Sequence, residues 1–181
     1  GLVRQNRGLL KTYLKLPSEP VWLSQTHSNQ AVEAIASESS QPADASYTDK
    51  AGVVCVVLTA DCLPLLVCAA DGSEIAAIHA GWRGLVDGII DNTIAALTSK
   101  EVLVWLGPAI GPERFEVGDD VRQAYLGKSS EFTPAFNQQS QDKWLVDIYR
   151  LARINLAMLG IDKVYGGGFC TVTDYEKFYS Y

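Results

Sequence analysis

An α+β fold built on a mixed β-sheet is the architecture this chain predicts, and three observations predict it. Short apolar runs rich in β-branched residues come first, before position 80; after Gly81 the apolar period lengthens to that of a helix; strands and helices then alternate with no fixed repeat. At 181 residues, with 48% hydrophobic and 20% charged residues, the chain has the size and composition of a single domain over 1–181 with a substantial core.

The basic stretch 1–16, with Arg4, Arg7, Lys11 and Lys15, is compatible with a helix that Pro17 and Pro20 end. Short strands are expected at 21–25 and 31–35, on either side of His27, Ser28 and Asn29, followed by a polar loop at 37–42. Three strands follow at 53–60, 63–69 and 74–80, the last two joined as a hairpin through Asp71 and Gly72. The apolar run 51–70 approaches the length of a membrane span. Asp61 at its centre would cost about 2.5–3.5 kcal/mol on insertion, so the run reads as two buried strands and a turn, and no membrane partner is expected.

Beyond Gly81, Leu85, Ile89, Ile90, Ile94 and Leu97 share one face of a helix that runs to about Thr98. A strand at 102–106 leads into Gly107-Pro108-Ala109-Ile110-Gly111-Pro112, a rigid turn in which Pro fixes φ and Gly permits unusual angles. Helices at 119–126 and 147–159 follow, the second closed by Gly160 at its C′ position, and 163–167 reads as a last strand.

Fifteen basic and 21 acidic residues give a net charge of −6, which argues against nucleic acid and leaves small-molecule partners open. Four cysteines without a C-x-x-C pair do not make a disulfide scaffold, and no signal peptide is visible at Gly1, so reduced thiols in a cytoplasmic setting are expected. Cys55, Cys68 and Cys170 read as packing residues, and the Trp82 and Trp105 rings as core.

The two histidines, His27 and His79, lie where apolar strands give way to small or polar residues, and Cys62 lies between two such strands. Two imidazoles and one thiolate would hold a zinc ion with a fourth position open, the coordination of a catalytic site. The gaps of 35 and 17 residues match no short metal motif, so the bare residues leave three readings open. They are a zinc site, unrelated side chains, or a thiol–imidazole pair. Asp61, beside Cys62, is a candidate to orient a ligand or to act as general acid or base. Between apolar strands it requires a partner in any case. In His79-Ala80-Gly81-Trp82-Arg83-Gly84, a strand-to-helix junction, Arg83 and backbone N–H groups suit an anion such as phosphate.

The segments QTHSNQAV (25–32), ADASYTD (43–49), TADCLPLLV (59–67), HAGWRGLVDGII (79–90), LGPAIGPERFEVG (106–118) and FYSY (178–181) together resemble the YfiH-like laccase-domain proteins, known both as polyphenol oxidases and as purine nucleoside phosphorylases. The resemblance covers most of the chain. It implies a mixed-sheet α+β fold in which His27, Cys62 and His79 match the family's zinc ligands. It also implies phosphorolysis of adenosine, inosine, guanosine and methylthioadenosine, with adenosine deamination; beside it, the residues themselves offer Asp61, Cys62 and Arg83 as the catalytic candidates. Purine nucleoside and phosphate are then the expected partners. Family members carry an upstream segment that contributes to the pocket, and continue past the position of Tyr181 with arginines; 1–181 is expected to lack both.

Two other functions compete. Copper in the same three-ligand site, with laccase-like phenol oxidation, is one, because Cu²⁺ outcompetes Zn²⁺ for most N and S ligands. A metal-free cysteine hydrolase, with Cys62 as nucleophile and His79 as base, is the other. A binding module holding a purely structural metal would show no open position and no turnover.

Overall fold

The computed structural model describes residues 1–35 and 40–181 and runs α1 (Leu2–Tyr13), β1 (Ala31–Glu33), β2 (Ala45–Thr48), β3 (Leu63–Ala69), β4 (Ile75–Ala80), α2 (Trp82–Val86), α3 (Ile89–Ala96), β5 (Val102–Leu106), β6 (Glu116–Gly118), α4 (Asp119–Leu126), β7 (Phe136–Ser140), β8 (Lys143–Val146), α5 (Ile148–Met158) and β9 (Val164–Gly166). A six-stranded sheet has the order β1-β2-β4-β3-β5-β9, and β6-β8-β7 form a second, three-stranded sheet. The large sheet is mixed: its outer pairs β1/β2 and β5/β9 are parallel, and the pairs between them antiparallel. The expected α+β class is therefore the observed one.

Period-two burial decides which way each strand faces. Leu63, Leu65, Val67 and Ala69 of β3 and Val102, Val104 and Leu106 of β5 are all buried on one face. Over that face lie Ile89, Ile90, Ile94 and Leu97, so the predicted apolar stripe is real, each such side chain contributing about 1.5–3 kcal/mol. The helix carrying it is not continuous, however. Gly88 adopts φ +89°, a left-handed conformation that ends α2 and restarts the chain as α3.

The opposite face of the sheet is partly open. Register pairs Leu66 with Trp105 and Trp105 with Tyr165, so the three stand in a row, 49%, 42% and 56% exposed. Trp105 is therefore not a core residue, because its strand position points away from the buried side; Trp82 is partly buried against the core.

The α1, β3–β4, α4 and α5 expectations hold. Asp147 caps α5 by accepting from Arg150 N–H at 2.9 Å. Its other end closes as a Schellman motif, with Gly160 at φ +76° and Ile161 N–H donating to Leu156 C=O at 2.9 Å.

Two expected strands need correction. Residues 53–60 form no strand of the sheet and make a single bridge, Cys55 with Val21, because both edges of β3 and of β4 are already taken. Residues 21–25 contribute only isolated bridges at Val21 and Ser24. Four strands, β2, β6, β7 and β8, were not anticipated, their sequences being too polar or too short to alternate visibly. The expected polar loop at 37–42 falls partly outside the described residues. Among the described residues no helix is long and apolar enough to cross a membrane.

Candidate metal centre

Strand pairing assembles the site. β3 and β4 pair antiparallel with Leu63 opposite Ala80 and Pro64 opposite His79, which sets Cys62, just before β3, beside the end of β4. β2 pairs with the other edge of β4, and His79 N–H donates to the carbonyl of Asp44 at 2.7 Å. Asp44 thus lies next to His79, although 35 residues separate them.

The carboxylate of Asp44 is fully buried and organises what surrounds it. It accepts from the backbone N–H groups of Thr26 (3.1 Å), His27 (3.0 Å) and Ser28 (2.6 Å), from the Ser28 hydroxyl (2.6 Å) and from His79 Nδ1 (2.8 Å). Those three consecutive N–H groups turn the 26–28 loop inward and hold His27 at φ +60°, a conformation that costs a residue with a side chain about 1–2 kcal/mol. Burial alone would raise the pKa of Asp44, but the bonds from Ser28, His79 and Thr26 outweigh it and leave the group below its ordinary value.

An ionised carboxylate can only accept, so Nδ1 of His79 carries the ring proton and Nε2 is left with its lone pair. Burial also pushes the His79 imidazole pKa down, against the pull of Asp44, which keeps the ring neutral near pH 7. The Cys62 thiol is pushed up, first by burial and then by the carboxylates of Asp61 and Asp44. Uncoordinated, it is a protonated thiol at pH 7; coordination would make it a thiolate.

His27, Cys62 and His79 each offer a ligand atom, all within 4.8 Å of one another, with Cys62 Sγ 3.7 Å from His27 Nε2. A tetrahedral ion with bonds of about 2.0–2.3 Å spaces its ligands by roughly 3.3–3.8 Å, so these residues fit one after a small contraction. The two imidazoles meet nearly edge-on, 4.9 Å between centroids at 74°. Gly81 borders the group closely: a Cβ there would lie 2.8 Å from His27 Cδ2 and 3.0 Å from Cys62 Sγ.

Asp61 and Arg83 are placed differently. The Asp61 carboxylate turns toward Thr171, Ser180 and Tyr181, accepting a hydrogen bond from each. Arg83 is exposed, its guanidinium 4.4 Å over the Trp82 ring, and among the described residues no carboxylate pairs with it. Helix α2 has five residues, so backbone N–H groups add little to Arg83 there. Cys55, Cys68 and Cys170 are half-buried free thiols, as is Cys62. Sequence reasoning singled out neither Asp44 nor the crowding at Gly81. A signal for the first was present, since Ala43-Asp44-Ala45 places one acidic group among small apolar residues, where burial demands partners.

Comparison with known proteins gives concordant findings. The family described as "Multi-copper polyphenol oxidoreductase laccase" matches residues 1–181. A Shigella flexneri protein named "Purine nucleoside phosphorylase YfiH" is 47% identical over 182 residues, covering 99% of this chain and 74% of that protein. A Pseudomonas aeruginosa protein, also named a purine nucleoside phosphorylase, is likewise 47% identical, with the same coverage of 99% and 74%. Among solved structures, Neisseria meningitidis protein NMB0706 superposes with a TM-score of 0.94 at 44% identity, over 99% of this chain and 74% of that one. YlmD from Geobacillus stearothermophilus does so with a TM-score of 0.84 at 25% identity, over 97% and 72%.

Proposed function

The chain belongs to the multi-copper polyphenol oxidoreductase laccase family, and on that premise we propose that it is a zinc-dependent enzyme of purine nucleosides. Its reaction is phosphorolysis of adenosine, inosine, guanosine and methylthioadenosine class substrates, with deamination of adenosine alongside. The observation that carries this reading is the convergence of His27, Cys62 and His79 with the His79 tautomer fixed by Asp44. The names borne by relatives that are 47% identical support the substrate class.

Zinc in a two-imidazole, one-thiolate set supplies Lewis-acid polarisation and keeps a fourth position for water or substrate. The chain's own residues do the rest. Asp44 keeps Nε2 of His79 unprotonated and pins the His27 loop in place. Arg83 is the residue for phosphate, since a planar guanidinium that no carboxylate among the described residues pairs with can bind it in bidentate fashion. In phosphorolysis a phosphate oxygen bonds to ribose C1′ as the C1′–N9 bond breaks, and the purine leaves with a proton.

The test is release of hypoxanthine from inosine by protein of known metal content, with and without phosphate. Release that needs both phosphate and about one bound zinc per chain supports the proposal; no release from any purine nucleoside by zinc-loaded protein refutes it. A second reading, copper in the same site with phenol oxidation, is favoured by the soft Cys62 donor and is checked by assaying phenols with copper-loaded protein. Against the metal-free hydrolase stands the pairing itself. The neighbour of Cys62 Sγ is His27 Nε2 at 3.7 Å rather than the expected base His79, and burial pushes the thiol pKa up, away from the thiolate a nucleophile needs.

A further inference from the structure

We infer that Asp61 is a positioning residue, which latches segment 169–181 onto the loop that carries Cys62 and so makes that segment one wall of the substrate site. The inference deepens the nucleoside reading above and rests on it only for its kinetic consequence.

Four hydrogen bonds converge on this one residue from parts of the chain that are distant in sequence. Its Oδ1 accepts from Thr171 Oγ1 at 2.5 Å, and its Oδ2 from Ser180 Oγ at 3.1 Å and Tyr181 N–H at 2.9 Å. Its carbonyl accepts from Ile110 N–H at 2.9 Å, in the Gly107–Pro112 turn, and Thr171 N–H donates to Ala109 C=O at 3.0 Å in that same turn. The segment is closed on itself: Phe169 and Phe178 meet edge-on at 5.6 Å, and Asp174 bonds back to Cys170 through both its backbone N–H and its carboxylate. It can therefore move as one unit, and Asp61 and the turn fix it beside Cys62. Asp61 itself sits at φ +75°, and its carboxylate is already engaged at both oxygens, the opposite of what a group that must take up a substrate proton requires.

Three variants separate positioning from proton transfer. In Asp61→Asn the amide oxygen can accept from Ser180 and Tyr181 while the amide nitrogen donates to the Thr171 hydroxyl, so the latch survives without a titratable group. Asp61→Ala removes the latch, and Asp61→Gly removes it while also relieving the left-handed backbone, which keeps the fold secure. Amide hydrogen exchange in 169–181, metal per chain, and KM against kcat are measured on all three.

Exchange in 169–181 should rise about tenfold in Asp61→Gly and Asp61→Ala but not in Asp61→Asn, with β3–β5 unchanged and metal content retained in each. KM for the nucleoside should rise about tenfold in the Gly and Ala variants with kcat changed by less than about threefold, and the Asn variant should match the parent. Unchanged exchange in Asp61→Gly overturns the latch. So does an Asp61→Asn protein that keeps 169–181 protected yet loses kcat about tenfold or more, because the carboxylate would then be acting on a proton. If the parent turns over no nucleoside, the functional reading fails by itself and the exchange arm still decides the latch.

Discussion

Asp44→Asn is the substitution whose outcome the geometry constrains most tightly. The five hydrogen bonds that the Asp44 carboxylate accepts divide between its oxygens: Oδ1 takes His27 N–H and His79 Nδ1, and Oδ2 takes the N–H groups of Thr26 and Ser28 and the Ser28 hydroxyl. An amide nitrogen in the Oδ2 position would face two backbone donors, neither of which can accept. In the Oδ1 position it faces one backbone donor and an imidazole nitrogen that can accept, so that orientation wins. His79 then accepts at Nδ1 and carries its proton on Nε2, the atom needed for the metal. One buried N–H, that of His27, is left without a partner at about 1–3 kcal/mol, and the charge-assisted bonds are weakened to neutral ones. With a urea slope of about 2 kcal/mol/M the orphaned N–H alone should lower the unfolding midpoint by roughly 0.5–1.5 M. Zinc affinity should fall about 10- to 100-fold, the usual loss when the partner of a metal-binding histidine is changed. Urea melts and chelator competition measure the two effects separately. A variant that binds zinc within about threefold of the parent would show that Asp44 does not set the tautomer. The pH dependence follows by sign. Asp44 has a lowered folded pKa, so its contribution is full above its ordinary value of 3.8 and is lost as pH falls below that. The stability gap between parent and variant should accordingly close in that window.

Other outcomes are expected at the same centre. Cys62→Ala should reduce bound metal from about one per chain to none by elemental analysis. Because the Cys62 thiol is held up while His79 stays neutral, binding should release about one proton, and zinc affinity should rise about tenfold per pH unit between pH 6 and 8, read by calorimetry in buffers of different ionisation enthalpy. Gly81→Ala meets no backbone obstacle at φ −69°, so its effect is steric: the new methyl pushes His27 and Cys62 apart, and metal affinity should drop at least about tenfold with little change in secondary structure by circular dichroism. Arg83→Ala should raise the KM for phosphate about tenfold and leave the unfolding free energy within about 0.5 kcal/mol of the parent, since the side chain is exposed; an unchanged phosphate KM would remove Arg83 from the site.

How far the chain could be read follows from where its information lies. β3, β5, α4 and α5 are legible because their faces are set by residues that alternate or recur at helical spacing, such as Leu63, Leu65 and Val67. β2 was hidden because Ala45, Ser46, Tyr47 and Thr48 carry no apolar alternation; what makes them a strand is the free edge of β4 beside them. Residues 53–60 show the converse, strong β propensity beside strands β3 and β4 in sequence whose edges are all taken. The ligands His27, Cys62 and His79 could be suspected one by one from their places at strand ends, but only the β3–β4 register brings two of them together. The role of Asp44 lay beyond spacing arguments altogether, because it depends on which atoms of a loop point at one carboxylate.

The donor inventory also bears on the name the family carries. A four-copper oxidase of the usual kind needs about ten histidines for its mononuclear and trinuclear centres, and this chain has two, both already in one group with Cys62. Two imidazoles and a thiolate do match the equatorial set of a single electron-transfer copper, whose axial ligand is commonly a methionine sulfur. The chain's one methionine, Met158, lies exposed on α5 and borders a cavity with Gly88 and Asn155 instead. Even with copper bound, one centre passes one electron, whereas reducing dioxygen to water takes four, and a single-ion site has nowhere to hold the others. Phosphorolysis and deamination require no electron storage. They need one open coordination position and a neutral imidazole of fixed tautomer, and at His79 burial and Asp44 provide the second of these.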